Sequence, residues 1–143
     1  MLFGKRKRVV NRILIVEDEP LTAFDTENVI GSEGYEVVAT LDRFADAIDT
    51  LDREKVDLIL CDVRLTGERT GVDLAEHAQG RGIPVLFVTG AAPENSEELA
   101  IGVLMKPYTH RTLRSALTAI DSYLGGGKAR PPKGLTLYPK ATV

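Results

Sequence analysis

One cysteine in 143 residues rules out an internal disulfide. Cys61 lies inside an apolar run, which suits a small core residue and a reducing compartment, so a cytoplasmic location is expected. No apolar run approaches the roughly 18 residues of a membrane span, and no membrane insertion is expected. The start, Met1-Leu2-Phe3-Gly4-Lys5-Arg6-Lys7-Arg8, has no apolar segment behind its basic cluster and is not expected to direct secretion. Charge of one sign is not in large excess either: a net charge of -3 argues neither for nor against nucleic acid. There is no internal repeat and no low-complexity block beyond Gly125-Gly126-Gly127. A phosphate-cradling glycine loop is also missing. After the first apolar run stands Glu17-Asp18-Glu19-Pro20, whose carboxylates would repel a nucleotide.

What is present is a regular alternation. Apolar runs at Ile13-Leu14-Ile15-Val16, around 36–41, at Leu58-Ile59-Leu60-Cys61, at Val85-Leu86-Phe87-Val88 and at Val103-Leu104-Met105 read as strands. Between them lie helical patterns. The first opens at Pro20, carries Leu21, Phe24, Val29 and Ile30 as its apolar stripe and stops at Gly34. Others place Phe44, Ala47, Ile48 and Leu51, then Val72, Leu74, Ala75 and Ala78, then Leu113, Ala116, Leu117 and Ile120 inward. Only a short helical candidate, 97–101, fits between the fourth and fifth strands, and Gly67 and Gly71 lend the loop after Asp62 unusual backbone angles. Five strands alternating with five helices predict a doubly wound α/β fold with a five-stranded parallel sheet. A chain of this length has room for one such domain, 12–124, with a basic N-terminal tail, 1–11, and a Gly/Pro/Lys-rich C-terminal tail, 125–143. That C-terminal tail reads as flexible, with an edge strand or partner-docking segment at Leu135-Thr136-Leu137-Tyr138 as the alternative.

The strands end on polar residues. The first runs into Glu17-Asp18-Glu19, the third into Asp62, the fourth into Thr89-Gly90 and the fifth into Lys106-Pro107. In open α/β sheets, ligands sit beyond the carboxyl ends of the strands, so these side chains share one rim. Carboxylates bind a hard cation through oxygen, while a hydroxyl and an ammonium bind phosphoryl oxygens. Each residue alone has a plainer reading: Asp62 as a helix cap or turn former, Thr89 as part of a turn, Lys106 as surface punctuation before proline. Their fall at strand ends in one order is the unusual feature. His77 and His110 have no metal-ligand spacing and read as surface histidines.

Glu17-Asp18, Asp62, Thr89 and Lys106-Pro107, spread over five strand-helix units, resemble the receiver domain of two-component response regulators over about 12–124. The resemblance implies a flavodoxin-like sheet of order 2-1-3-4-5 and a phosphoacceptor at Asp62. The phosphoryl donor would be the phosphohistidine of a sensor histidine kinase or histidine phosphotransfer protein. Glu17, Asp18, Asp62 and the backbone carbonyl of Arg64 would hold Mg2+, Thr89 and Lys106 would contact phosphoryl oxygens, and the Lys106-Pro107 bond would be cis. Many receivers carry an aromatic three residues before the lysine, where this chain has Val103, so switching by that residue is not expected. The run Pro84-Val85-Leu86-Phe87-Val88-Thr89-Gly90 is similar to the Pro-Phe-x-Phe-Ala-Thr-Gly run of a receiver subgroup that also lacks the aromatic.

These readings imply a stand-alone response regulator acting through a downstream protein partner or as a phosphate sink, with no direct DNA binding. The alternative is a pseudo-receiver that signals independently of phosphorylation. An aspartate-based phosphatase is disfavoured, because Arg64 stands where a second acidic residue would protonate the leaving group.

Overall fold

The computed structural model describes residues 7–139. The chain runs β1 (Arg12–Val16), α1 (Pro20–Ser32), β2 (Glu36–Leu41), α2 (Phe44–Arg53), β3 (Leu58–Asp62), α3 (Gly71–Gly80), β4 (Val85–Thr89), α4 (Ser96–Leu99), β5 (Gly102–Met105), α5 (His110–Leu124) and β6 (Leu135–Leu137). The sheet order is β2-β1-β3-β4-β5-β6. The first five strands pair in parallel, giving the expected flavodoxin-like order, and β6 adds an antiparallel edge.

Strand alternation divides the core in two. Ile13, Ile15, Leu58, Leu60, Leu86 and Leu104 face α1 and α5, while Leu14, Ile59, Cys61, Val85, Phe87 and Val103 face α2 and α3. Both faces of the central strands are covered, so their apolar runs need no polar alternation. Cys61 is fully buried, and burial pushes its thiol pKa up, away from reactive thiolate.

Four expectations change. The sheet has six strands, not five. The flexible reading of the C-terminal segment gives way to the edge strand, because Leu135 finds a buried place in the core only through pairing with β5. On α1 the inward stripe is Ala23, Thr26, Val29 and Ile30, leaving Leu21 78% and Phe24 61% exposed. Small side chains at 23 and 26 let the helix lie close to the sheet, and a helix cannot turn positions 21 and 24 to that same face. At the N-terminus, Val9 and Val10 donate backbone N–H bonds to Asp121 Oδ1 at 2.9 Å each, and the Arg8 guanidinium lies over the Tyr35 ring at 3.9 Å. Lys5 and Arg6 of the basic cluster lie outside the described residues. His77 is half-buried rather than on the open surface, edge-on to Phe44 and accepting a bond from Arg81 Nε at 2.9 Å. His110 is exposed.

Candidate functional site

Parallel strands in register deliver their next residues to one rim, and that geometry assembles the site. Asp62 is the last residue of β3 and is paired with Val88 on β4. Thr89, the next residue, is paired with Met105, and Lys106 follows. The Lys106 backbone N–H donates to the Thr89 carbonyl at 2.9 Å, which ties β5 to β4 at the rim. The Lys106-Pro107 bond is cis.

The Lys106 ammonium lies between two carboxylates, 2.7 Å from Glu17 Oε1 and 3.0 Å from Asp62 Oδ2. The other Asp62 oxygen accepts from the Arg64 backbone N–H at 3.2 Å, and Glu17 Oε2 accepts from the Glu19 N–H at 3.2 Å. Glu17 is 7% and Asp62 8% exposed, whereas Asp18 is open to solvent. Burial, reinforced by the neighbouring Asp62, pushes the Glu17 pKa up to about 7, against the pull of Lys106. Burial also raises Asp62, but bonds from Glu17, Lys106 and the Arg64 N–H outweigh it and hold this carboxyl below its ordinary value. Burial lowers Lys106, and the two carboxylates more than offset that, so its pKa is raised. Two buried carboxylates thus compete for one ammonium, which lowers one and leaves the other raised.

Oxygen atoms of Glu17, Asp18 and Asp62 lie within 4.8 Å of one another. An all-carboxylate donor set of two buried members and one, Asp18, open to solvent suits a hard divalent cation such as Mg2+ that keeps some of its waters. The Thr89 hydroxyl stands apart from these groups: it donates to the Ala91 carbonyl at 3.1 Å and accepts from the Ala91 N–H at 3.2 Å.

A family profile, the response regulator receiver domain, matches residues 13–118. The chain belongs to the receiver domain family. It is 31% identical over 115 residues to the transcriptional regulatory protein PdtaR of Mycobacterium tuberculosis, covering 76% of this chain and 56% of that protein. It is 33% identical over 88 residues to the phyllosphere-induced regulator PhyR of Methylorubrum extorquens, covering 60% of this chain and 33% of that one. Among solved structures, a CheY-like receiver domain protein from Methanospirillum hungatei matches with a TM-score of 0.72 at 26% identity, over 82% of this chain and 98% of that one. PhyR from Brucella abortus matches with a TM-score of 0.68 at 28% identity, over 84% and 51%. The chain spans about half the length of the curated relatives it matches. Receiver domains are signalling modules rather than enzymes in their own right. No helix of the described residues is long and apolar enough to cross a membrane.

Two contributors to this receiver site escaped the sequence reading. Gly71 was expected to supply an unusual backbone angle, but the positive φ belongs to Gly67 at 100°. A Cβ on Gly71 would meet the Asp62 carbonyl oxygen at 2.0 Å, so its lack of a side chain lets α3 start against the end of β3. Tyr108, following the cis proline, shares a 2.6 Å hydrogen bond with Thr26 and so pins the loop after Lys106 to α1. An aromatic after Lys-Pro was the only visible signal, and its partner is 82 residues away.

Proposed function

We propose that this receiver accepts a phosphoryl group on Asp62 from the phosphohistidine of a sensor histidine kinase or histidine phosphotransfer protein. The observation that carries the reading is the Lys106 ammonium held between Glu17 and an Asp62 whose pKa is depressed. An ionised Asp62 oxygen attacks phosphorus as the phosphorus–nitrogen bond breaks; the bonding pair stays on that nitrogen, and the donor ring, protonated at its other nitrogen, leaves as neutral histidine while an acyl phosphate remains on Asp62. Glu17, Asp18, Asp62 and the Arg64 carbonyl would hold Mg2+, which when bound supplies neutralisation of the incoming phosphoryl charge. Lys106 already lies beside Asp62 and needs only to give up a carboxylate contact to meet a phosphoryl oxygen. Thr89 donates to another oxygen once its hydroxyl leaves the Ala91 carbonyl. Acting in the cytoplasm, the protein binds a downstream protein or drains phosphate from its kinase. Leu21 and Phe24, exposed at the start of α1 beside the acidic loop, give a protein partner an apolar foothold.

Intact-mass measurement after incubation with acetyl phosphate and Mg2+ tests this. One labile phosphoryl group is expected on the wild type and none on Asp62→Asn, and an unlabelled wild type overturns the reading. The four-residue α4 and Val103 favour one other reading, a pseudo-receiver in which Asp62→Asn leaves partner binding intact.

A further inference from the structure

The C-terminal strand is fastened to the elements that surround the phosphorylation site. On β5, Gly102 pairs with Leu137, Val103 with Thr136 and Leu104 with Leu135. The ladder is extended at both ends: the Met105 N–H donates to the Gly134 carbonyl at 2.9 Å and the Tyr138 N–H to the Ile101 carbonyl at 2.8 Å. Beyond the ladder, the Tyr138 hydroxyl shares a 2.6 Å hydrogen bond with Ser96 Oγ, and the Tyr123 hydroxyl of α5 donates to the Tyr138 carbonyl. Ser96 is buried and is the first residue of α4. This strap therefore grips α4, β5 and α5 together, and its far anchor on β5, Met105, precedes Lys106 directly.

Phosphorylation pulls on both ends of that grip. For Thr89 to reach a phosphoryl oxygen its hydroxyl must abandon the Ala91 carbonyl, which frees the loop leading to Ser96. For Lys106 to follow the phosphoryl group it must leave Glu17, and its backbone is fixed to β5 and to Thr89. The strap itself is short, three ladder residues behind a glycine triplet, with Leu135 its one buried apolar side chain among the described residues. Such a strand sits at the low-stability end of a fold.

Resting on the phosphoacceptor reading above, we propose that residues 128–139 are an autoinhibitory strap: β6 and Tyr138 cover the β5 edge while Asp62 is unmodified and detach when it is phosphorylated. Release uncovers the backbone groups of β5, an edge otherwise closed to a partner strand.

Gly102 supplies a wedge that leaves the site alone. A Cβ there would meet the Thr136 carbonyl oxygen at 2.1 Å and Leu137 Cα at 3.1 Å, both in the strap. Hydrogen exchange on the full chain, with and without beryllium fluoride and Mg2+ as the phosphoryl mimic, reads the strap through the amides of Met105 and Tyr138, which donate across the seam between strap and β5. In the wild type the mimic should accelerate their exchange about tenfold or more while α1 and α5 stay protected. In Gly102→Ala they should exchange fast without the mimic, and the variant should bind beryllium fluoride more tightly by the same factor, because coupling is reciprocal. Tyr138→Phe, which removes only the Ser96 bond, should shift both readouts in the same direction by less, and it decides the matter if Gly102→Ala fails to fold. Acetyl phosphate labelling followed by mass separates the two proposals. Labelling with unchanged strap exchange and unchanged mimic affinity in the variants overturns the strap alone, and absence of labelling overturns both.

Discussion

Removing the Lys106 charge tests the electrostatics of the site most directly. Lys106→Met keeps the stem and deletes an ammonium 2.7 Å from Glu17 and 3.0 Å from Asp62. At an effective dielectric constant of about 20, each contact is a gross attraction of about 6 kcal/mol, and desolvation of the three groups offsets most of it. Removing one partner of a buried pair costs about 3–5 kcal/mol because the charge left behind stays desolvated. The Lys106 side chain is 23% exposed, so solvent screening brings the expected loss to about 2 kcal/mol. Protonation of Glu17 relieves part of it. Its folded-state pKa, about 7, lies above the ordinary 4.5, so its contribution to stability is complete below the lower value and is lost as pH rises through the upper one. In the metal-free protein the deficit of the variant should therefore be largest near pH 8, where two buried carboxylates face each other, and roughly half as large near pH 5. Urea unfolding in the presence of a chelator at both pH values reads this, and Mg2+ at the higher pH should restore more stability to the variant than to the wild type. Equal deficits at the two pH values, or a variant as stable as wild type near pH 8, would refute the reasoning.

Gly71→Ala, which drives a methyl group into the Asp62 carbonyl, should displace Asp62, the proposed phosphoacceptor, and slow acetyl phosphate labelling at least tenfold, read by mass at fixed times. A variant labelled at the wild-type rate would show that the end of β3 is not held by this contact. Phe24→Ala should leave labelling by acetyl phosphate unchanged while slowing transfer from the cognate kinase several-fold, since the ring is exposed on α1. Equal slowing with both donors would count against a docking role. Phe87→Ala should cost about 3–5 kcal/mol in urea unfolding, because the ring is fully buried between β4 and the α2–α3 face. Thr70→Ala should cost about 1 kcal/mol by removing the capping box it forms with Asp73 at the start of α3.

The strand and helix order was legible because each central strand is a continuous apolar run that reports its own burial, and because Pro20 and Gly34 bracket α1 in sequence. Glu17, Asp18, Asp62, Thr89 and Lys106 could be singled out for a related reason: a parallel sheet sends the residue after every strand to the same rim, so order along the chain becomes proximity in space. Residue type and strand phase fixed which side chains gather there.

Tertiary structure decided what depends on a distant partner. Leu135-Thr136-Leu137 offers a strand only as the alternative to a flexible tail, and the open edge of β5 decides between the two. Leu21 and Phe24 look like core residues until Ala23 and Thr26 take the face against the sheet. Gly71 shows nothing in sequence of the Asp62 backbone pressed against it. The protonation balance of Glu17 and Asp62 likewise belongs to neither residue alone. It arises from burial and from one ammonium shared between side chains 45 positions apart, separations over which a one-dimensional pattern carries no force.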